Sequence, residues 1–216
     1  MCKVIGQACV AILLTMSTER TAPNLHRGMN NATNRVLWYK RSLDLWNQDI
    51  NSKNAVVVVQ NSPPFIEYEH IETIQFQHSK SDELKICGEY TDAMGEHELI
   101  SIHKALQTST ILKNATHVIK ITGRYFIPSV FSFFHVLNTT KIIHMNGFAG
   151  GCQIMGCRKD VCSHLWRCPY KKYHHCEATI KHRMHEYSES ERFALPILHT
   201  AYTLTGSGNA VVTHLP

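Results

Sequence analysis

Two cations and a hydroxyl recur at alternate positions in Lys120-Ile-Thr-Gly-Arg-Tyr-Phe126. Side chains alternate between the faces of a strand, so Lys120 and Thr122 share one face. If the extended course continues through Gly123, Arg124 joins them. Gly123, having no Cβ, would leave room for a ligand to approach the backbone. Fixed cations at such an edge suit one kind of chemistry. They stabilise the negative charge that grows on a departing phosphate oxygen, and arginine adds a planar fork that holds two oxygens at once. The bland alternative is a strand end whose Lys120 and Arg124 are solvated. The apolar neighbours Ile119, Ile121, Tyr125 and Phe126 argue for burial instead, and a buried cation needs a partner.

Transfer to a hydroxyl calls for a carboxylate near the acceptor. Glu98, in Gly95-Glu-His-Glu98, and Glu177, in His174-His-Cys-Glu177, are the candidates, ahead of Glu96 and Asp160. Each lies near the start of a predicted helix, where an acid also serves simply to complement the helix dipole. Position alone offers Gln60, Asn61 and Ser62, with residues 15–17, as contacts for a base or ribose. Tyr125, Thr122 and Gly123 join that binding set, and Gly206 and Ser207 in Thr205-Gly-Ser-Gly-Asn209 could present backbone amides to phosphate or form only a turn.

Five of the eight cysteines crowd into residues 152–176. Cys152, Cys157, Cys162, Cys168 and Cys176, with His174 and His175, contain enough soft ligands for zinc. The intervals are wider than a zinc knuckle, however, with four residues intervening twice, then five, then seven. Disulfides and buried thiols therefore stand beside zinc as readings of this stretch. The clustered cysteines and the sequons at Asn31, Asn114 and Asn138 would suit an oxidising lumen, whereas a cytoplasmic chain would keep its thiols reduced. The compartment stays open.

The elements that must position these residues alternate between short apolar runs and longer helical patterns, as in a sheet fed by crossover helices. Strands are predicted over 9–15, 55–59, 71–76, 116–122, 141–145 and 152–155. The four consecutive valines 56–59 are what a strand covered on both faces looks like. Helices are predicted over 31–47, 95–112, 129–137, 158–167 and 176–189, with a polar loop over 77–94. The fold class is α/β, a mainly parallel central sheet flanked by helices. Residues 1–216 form one domain in which 152–176 is a cysteine-rich insertion or subregion. The composition, 44% hydrophobic and 18% charged, excludes a disordered chain.

A formal net charge of +5 with no Lys/Arg run longer than a pair argues against nucleic acid as the partner. The apolar runs fall short of a membrane span. The stretch after Lys3 could pass for a signal peptide, but Gln7 interrupts it and favours a buried first strand.

Lys120-Ile-Thr-Gly-Arg-Tyr125 resembles the K-[ILV]-T-G-R-Y strand signature of a group of glycosyltransferase-like proteins, themselves similar to the GT-A-like nucleotide-diphospho-sugar transferases. Weaker pieces fall in the same order: Asn34-Arg35 with Tyr39, Leu43 and Trp46; Val56 to Ser62; Gly95-Glu96 with Glu98; Leu195-Pro196; and Thr205 to Gly208. The resemblance implies a GT-A-like (Rossmann-like) fold, a nucleotide-sugar donor and a glycan or other hydroxyl acceptor. It departs from the larger superfamily in lacking any Asp-x-Asp, and the cysteine cluster is foreign to it. Without paired aspartates a divalent ion has no evident two-point seat, so Lys120 and Arg124 would supply positive charge directly and no cofactor is expected. The alternatives are a zinc- or disulfide-stabilised binding module, a transferase-like protein that binds without turnover, and, less well supported, a hydrolase using Cys176 beside His175.

Overall fold

The computed structural model describes residues 3–5, 8–17, 32–49, 55–87, 94–127, 130, 140–145, 154–167, 176–195, 201–204 and 210–213. Its centre is β2 (Ala8–Met16), which β1 (Lys3–Ile5) flanks antiparallel at the amino end. β2 pairs parallel on one side with β3 (Val56–Gln60) and on the other with β5 (His117–Thr122). β4 (Glu72–Gln75) extends the sheet parallel beyond β3. Beyond β5 lies β7 (Ile154–Arg158), antiparallel, then β6 (Ile142–Met145), to which β8 (Arg192–Leu195) adds in parallel. The order β4-β3-β2-β5-β7-β6-β8 makes an α/β fold with a mostly parallel sheet. A separate hairpin joins β9 (Ala201–Leu204) to β10 (Ala210–Thr213).

Both faces of the sheet are covered, which is why its central strands read as unbroken apolar runs. Ile12, Leu14, Val56, Val58, Ile119 and Ile121 face Leu43 and Trp46 of α1 (Ala32–Gln48). Leu13, Val57, Val59 and Val118 face Leu99, Ile102 and Ala105 of α3 (Met94–Thr108). Every one of these strand side chains is fully buried. Each contributes about 1.5–3 kcal/mol by leaving water.

Three expectations give way to local physics. The predicted loop 77–94 contains α2 (Lys80–Cys87). Ser79 Oγ accepts the Asp82 amide at 3.1 Å, and Asp82 binds Lys104 of α3 at 2.7 Å. This helix is held by polar contacts, so no apolar period announces it. The helix expected over 95–112 breaks at Ser109, which caps α4 (Thr110–Asn114) by accepting the Leu112 amide at 2.9 Å. Glu72 reinforces that break by accepting hydrogen bonds from Ser109 Oγ, the Thr110 amide and hydroxyl, and the Ile111 amide. The helix expected over 158–167 shrinks to a 3-10 turn followed by α5 (Cys162–Leu165), because β7 runs on to Arg158. The start of the cysteine-rich stretch thus supplies an interior strand. α6 (Cys176–Met184) follows, ending short of the expected 189. The helix expected over 129–137 lies, but for Val130, outside the described residues.

Candidate functional site

Parallel strands β2, β3 and β5 end side by side, with Thr15 level with Thr122 and Met16 level with Gln60. Successive strands step outward from β2 to β3 to β4, and the chain then returns to place β5 on the other flank of β2. The gap between the carboxyl ends of β2 and β5 is therefore the topological switch point, where open α/β sheets receive ligands.

Lys120 and Thr122 project from the α3 face of β5, in line with Leu13 and Thr15 of β2. The Lys120 ammonium lies 2.6 Å from Glu98 Oε1 and 3.4 Å from the Thr122 hydroxyl, and Thr15 Oγ1 donates to the same Glu98 oxygen at 2.8 Å. Glu98 reaches the edge because it stands in the first turns of α3, which packs over β2 and β3. The side chain of Lys120 is 3% exposed and that of Glu98 28%. The lysine is thus the inner member of an ion pair whose carboxylate faces outward, not a cation presented to the cleft. Among the described residues Glu98 Oε2 makes no hydrogen bond.

The expected alternation stops at Gly123. Its amide donates to the Thr15 carbonyl at 2.9 Å, the Tyr125 amide donates to the Thr122 carbonyl at 3.0 Å, and the chain turns. A Cβ at Gly123 would lie 2.5 Å from Met16 Cγ and 2.9 Å from the Thr15 carbonyl oxygen. The space expected to admit a ligand is therefore filled by β2, and glycine is needed for strand packing. Arg124 leaves the row of Lys120 and Thr122, and its guanidinium sits 5.0 Å over the ring of Tyr125, which is buried in the α1-side core. Arg124 Nε is buried with no hydrogen-bond partner among the described residues. Such an orphaned donor costs about 1–3 kcal/mol unless something else accepts from it. Trp46 of α1 pins the turn by donating Nε1–H to the Tyr125 carbonyl at 2.9 Å and meeting Phe126 edge-on at 5.0 Å.

Tyr39 and Arg35, known beforehand only as pieces of the resemblance, complete the edge. The Tyr39 hydroxyl donates to the Ser17 carbonyl at 3.1 Å and accepts the Ser17 amide at 3.3 Å, while Arg35 Nη1 lies 3.5 Å from the same carbonyl. Burial raises the Tyr39 pKa; the Ser17 bond and then Arg35 and Arg124 pull it downward, and Glu98 pushes it up. Sequence alone held one signal for Arg35, a cation in the first turn of a helix, where the macrodipole disfavours it.

Gln60, Asn61 and Ser62 are buried and bonded inward. Gln60 donates to the Ile66 carbonyl at 2.5 Å and accepts the Ile66 amide at 2.9 Å. Asn61 donates to Ser101 Oγ at 3.2 Å, and Ser62 donates to Asn61 Oδ1 at 3.4 Å. Through these contacts they hold the floor of the edge. Beside them the rings of His78 and His97 stack with centroids 3.6 Å apart.

Glu177 stands in the first turn of α6 with its side chain outside the described set, and Gly206 and Ser207 lie wholly outside it. Of the proposed zinc ligands, Cys157 and Cys162 are free thiols with sulfurs 3.3 Å apart. Burial raises the Cys157 pKa well above the ordinary thiol value. Cys152, Cys168, His174 and His175 lie outside the described residues, as does the side chain of Cys176. Among the described residues no three metal-ligating side chains come together. Cys9 is disulfide-bonded. No described helix is long and apolar enough to cross a membrane.

No family model and no curated protein matches the chain. Two solved structures match the chain. A protein assigned as a nucleotide-diphospho-sugar transferase, from Desulfovibrio desulfuricans G20, is 14% identical, with a TM-score of 0.52 over 87% of this chain and 79% of that one. A cytidylyltransferase from Leptospira borgpetersenii is 16% identical, with a TM-score of 0.47 over 87% of this chain and 75% of the other. At such identity the first likeness is one of fold.

Proposed function

We propose that the chain transfers a sugar from a nucleotide-sugar donor to a hydroxyl acceptor, with the donor lying across the carboxyl ends of β2 and β5. The convergence of Arg124, Tyr39 and the Lys120–Glu98–Thr15 group at the topological switch point carries this reading. In the reaction the bond from the anomeric carbon to the diphosphate breaks, and its electron pair stays on the bridging oxygen. The Arg124 guanidinium, with one donor already lacking a partner among the described residues, stabilises that charge. The acceptor oxygen bonds to the anomeric carbon and gives its proton to Glu98 Oε2, which the Lys120 and Thr15 contacts at Oε1 leave facing outward. Lys120 acts through Glu98. Paired aspartates are missing from the sequence, and transfer proceeds without a divalent ion.

A screen of nucleotide release from UDP-, GDP- and CMP-linked sugars, with and without chelator, tests the reading. At least one donor should turn over equally with chelator present, and Arg124→Ala should cost about a hundredfold or more. Strict dependence on manganese would end the metal-independent reading, and no turnover together with no nucleotide binding would end the whole. A second reading, binding without turnover, is favoured by the hold of Lys120 on Glu98, which occupies one of the two carboxylate oxygens. Saturable nucleotide-sugar binding with no nucleotide released would select it.

A further inference from the structure

Lys120 cannot reach a diphosphate without first leaving Glu98. Its ammonium is 2.6 Å from that carboxylate, its side chain is 3% exposed, and the carboxylate is the outer member of the pair. The row expected to unite Lys120 with Arg124 is broken by the turn at Gly123. Any second cation for a doubly charged leaving group has to come from another element.

α1 supplies one. Arg35 stands in the first turn of this helix, and its Nη1 lies within 3.5 Å of the Ser17 carbonyl, immediately past the end of β2. Tyr39, one helical turn on, fixes α1 to the same residue through two hydrogen bonds to Ser17. Arg124 approaches from the β5 side, following Gly123, whose amide is bonded to Thr15 two residues before Ser17. The two arginines therefore come from separate elements beside one strand end, Arg35 from α1 and Arg124 from the turn that follows β5.

We propose that Arg35 is the second phosphate-gripping residue, closing with Arg124 on the diphosphate of the donor, and that Lys120 is a positioning residue for Glu98. The inference rests on the nucleotide-sugar reading and assigns its charge-binding to a different element. Two planar forks set on separate elements bind a pair of linked phosphates, so a nucleoside diphosphate should be held well above the corresponding monophosphate.

The test compares binding of UDP, GDP and CDP with that of the matching monophosphates by calorimetry on the full chain. Wild-type protein should prefer one diphosphate over its monophosphate. Arg35→Gln should weaken that diphosphate by about tenfold to a hundredfold, the usual worth of a charge-assisted contact, while monophosphate binding falls far less. Arg35→Lys, which keeps charge but not the fork, should recover part of the loss. Unchanged melting temperature in both variants separates lost contact from lost folding. A diphosphate preference that survives Arg35→Gln overturns the assignment and leaves the transferase reading standing. If wild-type protein binds none of the six nucleotides, both fall together.

Discussion

The Lys120–Glu98 pair predicts an asymmetry that a purely catalytic pair would not produce. Glu98→Gln keeps shape but leaves the Lys120 ammonium, with a side chain 3% exposed, facing a neutral amide. Removing the charged partner of a buried ion costs about 3–5 kcal/mol, or roughly 6–20 °C in Tm for a chain of this size. Lys120→Met instead leaves a carboxylate that is 28% exposed and still accepts from Thr15 at 2.8 Å. Water can reach that oxygen, so the loss should be only about 1–2 kcal/mol. The double variant should lose less than the two single losses combined, because both members of the pair are then removed together. Urea unfolding of the three variants, with common slope, reads all these quantities. Glu98→Gln costing no more than Lys120→Met would refute the claim that the lysine is the inner, dependent member of the pair.

Two further perturbations bear on the scaffold. Glu72 is pulled in two directions: burial raises its pKa, but bonds from Ile111, Ser109 and Thr110 together outweigh this and lower it below the usual 4.5. A depressed folded-state pKa contributes stability above the unfolded value and loses it as pH falls through the folded one. Glu72→Gln should therefore cost about 1 kcal/mol at pH 7, with the difference from wild type shrinking below about pH 4.5 in thermal melts; a gap that widens on acidification would contradict the sign. Gly123→Ala places a Cβ 2.5 Å from Met16 Cγ and 2.9 Å from a backbone oxygen, so about 1–3 kcal/mol should be lost. Met16→Ala in the same chain should fail to restore it, since the Thr15 carbonyl clash remains; full rescue would assign the glycine to side-chain crowding alone.

Elements with continuous apolar character were readable because burial on both faces leaves no room for a polar residue. The valines of β3 and the run through β2 are of that kind. α2 escaped because its support is Ser79, Asp82 and Lys104, contacts that look like an ordinary polar stretch until α3 is placed beside it. The same limit applied at the site. Alternation along 120–124 is a sound inference for a strand, yet the strand ends at Thr122 because Gly123 must pack against Met16, a residue more than a hundred positions away. Glu98 was visible as a carboxylate at a helix start, but its hold on Lys120 depends on α3 lying over β2 and β3.

The run Lys-Ile-Thr-Gly-Arg-Tyr thus divides its labour. The lysine neutralises an acid from α3, the glycine lets β5 approach β2, the tyrosine enters the α1-side core, and Trp46 holds the turn from the other element. Three of its residues build the strand end, and Arg124 Nε is buried with no hydrogen-bond partner among the described residues. If the donor is held as proposed, by Arg124 from the turn after β5 and Arg35 of α1 rather than by an ammonium on the sheet face, the grip has a consequence for affinity. Its strength depends on how α1 sits against the turn at Gly123. The Trp46 and Tyr39 hydrogen bonds that set this spacing would then position the arginines for the donor.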